Sequence, residues 1–78
     1  MTKSVFSAKY VRFMQMLVAA RNAAGMTQMD LAGKLGRMQS YVSKFERGER
    51  RLDIIEFLEI AEALGIDVLR FIEQLEGR

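Results

Sequence analysis

The side chains able to do chemistry are concentrated in Gln39-Ser40-Tyr41-Val42-Ser43-Lys44. At helical spacing, Gln39, Ser40, Ser43 and Lys44 occupy the face that Val42 and Phe45 leave free. A glutamine amide can donate to adenine N7 and accept from adenine N6 in one bidentate pairing. A lysine reaches guanine O6 and N7 or a phosphate, and a serine suits either. Tyr41 could set its ring near a thymine methyl or give its hydroxyl to a phosphate; a packing role at the helix surface fits it equally well. Base reading is the chemistry these types support. Catalysis is not: the 78 residues contain no histidine and no cysteine. That removes nitrogen and thiolate metal ligands as well as Ser-His and Cys-His nucleophiles. The carboxylates pattern as helix caps or solvent-facing stripes, so no enzyme, metal or cofactor is expected.

The elements that must position this face run from Thr27 to Gly48. Leu31, Ala32 and Leu35 mark one face of a helix opened by Thr27 as N-cap, with Asp30 completing a capping box. Gly36 supplies the permissive backbone for a sharp reversal. A second short helix follows over Gln39–Glu46, its core side carrying Val42 and Phe45. Ala32 lets the two helices cross closely and Val42 plugs the space between them. Ala32, Gly36 and Val42 are thus spaced as in a helix-turn-helix over residues 28–46, and the leftover face points to double-stranded DNA.

Thr27-Gln28-x-x-Leu31-Ala32-x-x-Leu35-Gly36, followed by Gln39-Ser40-x-Val42-Ser43-Lys44-x-Glu46-Arg47-Gly48, resembles the lambda-repressor/Cro-like (Xre-type) regulators. The similarity extends through Leu64-Gly65-Ile66-Asp67 and covers roughly residues 10 to 72. Met38 and Arg37 depart from the pattern, standing where a small capping residue or proline, and an apolar turn residue, are usual. The resemblance implies an all-α, compact bundle of about five helices, dimeric operator binding and transcriptional control. It also implies that Arg21 pairs with Glu46 as a structural ion pair, although an arginine stem snorkelling to solvent is the alternative. Gln28, at a helix N-terminus where free N–H groups attract anions, would hold a phosphate. Arg47-Gly48-Glu49-Arg50-Arg51 is similar to the family's loop along the sugar–phosphate backbone, which makes Arg47, Arg50 and Arg51 phosphate contacts. Lys34 and Arg37 lie near enough to the turn to join them.

Charge is distributed accordingly. Net charge is only +2, yet residues 34–51 carry six basic side chains against two acids, while residues 52–78 carry seven acids against two arginines. One basic side facing phosphates is the natural reading.

Residues 1–6 pattern as no element and are expected to be frayed. A first helix is expected over about Ser7 to Ala24, with Tyr10, Phe13, Met14, Leu17 and Val18 on its apolar stripe and Gly25 ending it. Asp53 with Glu56 caps a fourth helix to about Leu64, and Asp67 caps a fifth over about Val68 to Glu76. Those two helices are apolar over more circumference than one small bundle covers. Ile55, Leu58, Leu69, Phe71, Ile72 and Leu75 are therefore expected to supply a homodimer interface within residues 54–76, unless the first helix covers them all.

A single domain over residues 1–78 follows from the length. No signal-peptide core, membrane-length apolar run or small-molecule site is evident, which suits a cytoplasmic protein. The reading is a sequence-specific transcriptional regulator, most simply a repressor, on a pseudo-palindromic operator. The rival is the same fold retained as a protein-interaction or antitoxin-type module, whose last two helices bind a different protein.

Overall fold

The computed structural model describes residues 7–78, so the expectation for residues 1–6 lies outside it. Five helices follow one another: α1 (Ala8–Ala23), α2 (Gln28–Leu35), α3 (Gln39–Glu46), α4 (Ile54–Leu64) and α5 (Val68–Glu76). Among the described residues there is no strand. The all-α architecture is the one the sequence indicates, and the boundaries follow from local chemistry. Ser7 caps α1 by accepting from the Tyr10 N–H. Thr27 and Asp30 close a reciprocal capping box on α2, and Asp53 and Glu56 do the same on α4. Each box satisfies two N–H groups that a helix start otherwise leaves without partners.

Gly36 makes the helix-turn-helix reversal. It sits at φ 67°, ψ 33°, in the left-handed region that side chains with a Cβ resist. The Arg37 N–H then donates back to the Ala32 carbonyl at 2.9 Å, closing the last turn of α2. The chain leaves the turn extended at Met38 and enters α3 with no side-chain cap. Apolar Met38 therefore occupies the one position where a polar residue would have satisfied the first turn.

One core runs through all five helices: Tyr10, Met14 and Leu17 of α1, Leu31 and Ala32 of α2, Val42 and Phe45 of α3, Phe57 and Ile60 of α4, and Phe71 of α5. Ala32 and Val42 are both buried where α2 meets α3, as close crossing requires. A second concentration is aromatic. Phe13, Phe57 and Phe71 meet with ring centroids 5.3 to 6.0 Å apart, which fastens α4 and α5 to α1.

Phe71 corrects one expectation. It is 6% exposed and belongs to this core, so it cannot form part of an outer patch. The rest of that set divides by depth: Ile55, Leu58, Leu69 and Ile72 are exposed, and Leu75 is half-buried. Ile54, not singled out from the sequence, is exposed beside them. Ile54, Ile72 and Leu75 also line a shallow groove of about 250 Å³ floored by Phe13 and Phe57. α1 thus covers part of the surplus apolar surface, and the rest stays open.

Candidate nucleic-acid interface

α3 is held from behind and open in front. Val42 and Phe45 are fully buried, while Gln39, Ser40 and Lys44 are exposed and Ser43 is half-buried. The polar face therefore presents its first turn outward, with Arg37 and Met38 exposed in the adjoining turn.

Behind that face lies a polar relay. Arg21 Nε donates to Glu46 Oε2 at 2.7 Å and its Nη2 to Oε1 at 3.1 Å, with side-chain exposures of 11% and 6%. Arg21 Nη1 also donates to the Met26 carbonyl at 2.9 Å. This fork fixes α3 against α1 in a geometry that a planar guanidinium matches and a lysine would not. Glu46 Oε1 accepts a further bond from Gln28 Nε2 at 2.9 Å, and Gln28 Oε1 accepts from Gln39 Nε2 at 3.3 Å. Arg21, Glu46, Gln28 and Gln39 thus form one chain from α1 to the exposed tip of α3. Gln28 is turned inward and bonded at both ends of its amide, leaving one N–H for an outside acceptor. The relay leaves Gln39 its carbonyl oxygen and its second N–H, the pair that an adenine edge accepts and supplies.

The basic residues divide by partner. Lys34, Arg37 and Lys44 are exposed, and among the described residues none of them enters an ion pair. Arg47 forms an exposed fork with Glu49 at 2.9 and 3.0 Å and also donates to Ser43 Oγ. Such an exposed pair contributes little and exchanges readily. Arg50 is bound more firmly, donating to Glu56 at 2.7 and 3.1 Å and to the Arg51 carbonyl at 3.0 Å. That guanidinium, together with the Asp53 N–H, holds the Glu56 carboxyl down at about 2. Arg51 lies over the Tyr10 ring at 4.2 Å, and the Tyr10 hydroxyl accepts from the Leu52 N–H at 3.1 Å. The loop is therefore braced on both sides by α1 and α4.

Tyr41 stands apart from the outward-facing residues. It is half-buried, with its ring edge-on to Phe45. Burial first, and then Glu56, push its hydroxyl pKa up. Charge counting along the chain does not disclose the Arg50–Glu56 brace or the inward turn of Gln28. The signal for the first was an acid at N3 of α4 six residues after Arg50; the second joins residues 18 positions apart.

Residues 17–71 match the model of the Helix-turn-helix family. Two curated relatives come from Sinorhizobium fredii (strain NBRC 101917 / NGR234). The uncharacterized HTH-type transcriptional regulator y4dJ is 39% identical over 46 residues, covering 59% of this chain and 60% of that protein. The uncharacterized HTH-type transcriptional regulator y4dL is 34% identical over 55 residues, covering 70% of this chain and 28% of that protein. The chain thus spans less than two thirds of either relative's length. A solved structure, an XRE-family like protein from Pseudomonas syringae pv. tomato str. DC3000, superposes with a TM-score of 0.85 at 47% identity, over 90% of this chain and 85% of that one. With the buried side of α3 locked and its polar side open, the chain belongs to the XRE-type helix-turn-helix family of transcriptional regulators.

Proposed function

We propose that the protein is a sequence-specific repressor that binds a pseudo-palindromic operator as a homodimer. The observation carrying this reading is the exposed tip of α3, where Gln39 is oriented by the relay from Arg21. Gln39 and Ser40 read base edges, with Ser43 and Lys44 one turn further along. Lys34 and Arg37 hold phosphates, joined by Arg47, Arg51 and the remaining N–H of Gln28. Tyr41 and Arg50, both engaged inside the fold, make at most peripheral contact. Repression would follow from occluding polymerase.

Selection of bound sequences from a random duplex pool tests the reading directly: an enriched half-site repeated about ten base pairs apart is the expected product. No enrichment at all would contradict it. Gln39→Ala should then relax the preference at one operator position, costing about 1–3 kcal/mol there. Equal loss on every sequence would exclude base reading by this residue.

The homodimer rests on the exposed apolar set Ile54, Ile55, Leu58, Leu69 and Ile72 on α4 and α5. Five large apolar side chains left exposed on two consecutive helices are normally covered. A two-fold copy using the same face would set two α3 helices in successive major grooves, about 34 Å apart. Leu58→Glu, at a residue 42% exposed, should give a folded monomer in sedimentation with operator affinity lowered at least tenfold. A persisting dimer would place the interface elsewhere. Phe71→Glu is unsuitable for this test, because it would place a charge in the subunit core.

A further inference from the structure

Tyr41 belongs neither to the deep core nor to the outer face of α3. Its ring is fixed against Phe45, with centroids 5.5 Å apart and planes at 75°. Two guanidinium carbons lie over it, Arg37 at 4.4 Å and Arg50 at 4.8 Å from the centroid. The two cations arrive from different connections, Arg37 from the α2–α3 turn and Arg50 from the α3–α4 loop. They are not equivalent. The Arg50 fork is closed on Glu56, which offsets its charge and fixes its position. Among the described residues, the Arg37 guanidinium makes no hydrogen bond and no ion pair, so the ring is what places it.

A guanidinium held over an aromatic face by cation–π attraction spends none of its N–H donors on that contact. Those donors match two oxygens of one phosphate. Stacking also reduces the rotamer freedom that a long exposed side chain would lose on binding.

We infer that Tyr41 is a positioning residue which pre-sets Arg37 to grasp a backbone phosphate of duplex DNA, with Arg50, held by Glu56, as the second cation of the clamp. This rests on the DNA-binding reading above and deepens it. Tyr41 on this account reads no base; its effect passes through Arg37 and is independent of sequence.

The test uses the full chain and a mixed-sequence duplex, with affinity followed by fluorescence anisotropy across a salt series. Arg37→Ala should lower the slope of log affinity against log salt by about 0.9, one phosphate's worth. Tyr41→Leu should lower it equally, Tyr41→Phe should keep the wild-type slope, and the Tyr41→Leu/Arg37→Ala pair should lose no more than either alone. A Tyr41→Leu protein of unchanged helicity that keeps the wild-type slope, or a Tyr41→Phe protein as impaired as Tyr41→Leu, overturns the inference while leaving DNA binding intact. A wild-type chain that binds no duplex overturns both. A second measurement needs no variant that must fold. In the free wild-type protein, the Arg37 side-chain protons should show an upfield ring-current shift by NMR, and ordinary random-coil shifts there would equally overturn the clamp.

Discussion

Arg21→Ala is expected to lower the unfolding free energy by roughly 3–5 kcal/mol, the usual cost of stripping one partner from a buried ion pair. Glu46 is 6% exposed at its side chain and would retain only the Gln28 amide. The Met26 carbonyl would lose its donor as well. Small domains hold about 5–15 kcal/mol in total, so the loss is a large share of what keeps this one folded. At about 4–8 °C per kcal/mol for a chain of this size, Tm should fall by more than about 12 °C in a thermal melt followed by circular dichroism. Arg21→Met combined with Glu46→Leu separates cause from consequence. Replacing both charges with apolar groups should restore most of the stability, yet it removes the acceptor that orients Gln28 and hence Gln39. A drop below about 1 kcal/mol for Arg21→Ala would mean that Glu46 is as well served by water as an exposed pair is.

Phe45→Ala should be of comparable size, roughly 3–5 kcal/mol, because the ring is wholly buried and a cavity of that size is ordinarily filled only in part by relaxation of its surroundings. The residue belongs to the same buried cluster as Val42, Leu31 and Leu17, and its ring packs edge-on with that of Tyr41. The urea midpoint should shift strongly with the m-value unchanged, as expected when stability falls and the denatured state does not change. Leu69→Ala is the control, at a leucine 77% exposed; it should move the free energy by less than about 0.5 kcal/mol in the isolated subunit. Equal effects at the two positions would show that Phe45 does not carry the packing assigned to it.

How much of this was legible beforehand depends on how local each determinant is. Helix boundaries were readable because their causes lie within four residues: Thr27 with Asp30, Asp53 with Glu56, and glycines at the reversals after α2 and α4. The helix-turn-helix was readable because Ala32, Gly36 and Val42 act within one supersecondary unit. Depth along α5 was not. Leu69, Phe71 and Ile72 are all apolar, and only the placement of Phe13 and Phe57 decides which of them turns inward. The disposition of cations was hidden for the same reason. Arg37, Arg47 and Arg50 look alike in a charge count, and the difference between a stacked, a loosely paired and a firmly braced arginine is made by residues on other elements.

The aromatic junction has a consequence for which parts of the molecule can open on their own. Phe71 packs on both Phe13 and Phe57, so lifting α5 bares two rings at once. The turn between α2 and α3 contains none of the three rings and is closed by its own bonds, among them the Arg37 N–H to the Ala32 carbonyl. Opening of α5 can therefore leave the helix-turn-helix standing, so the two sides of the molecule need not come apart together.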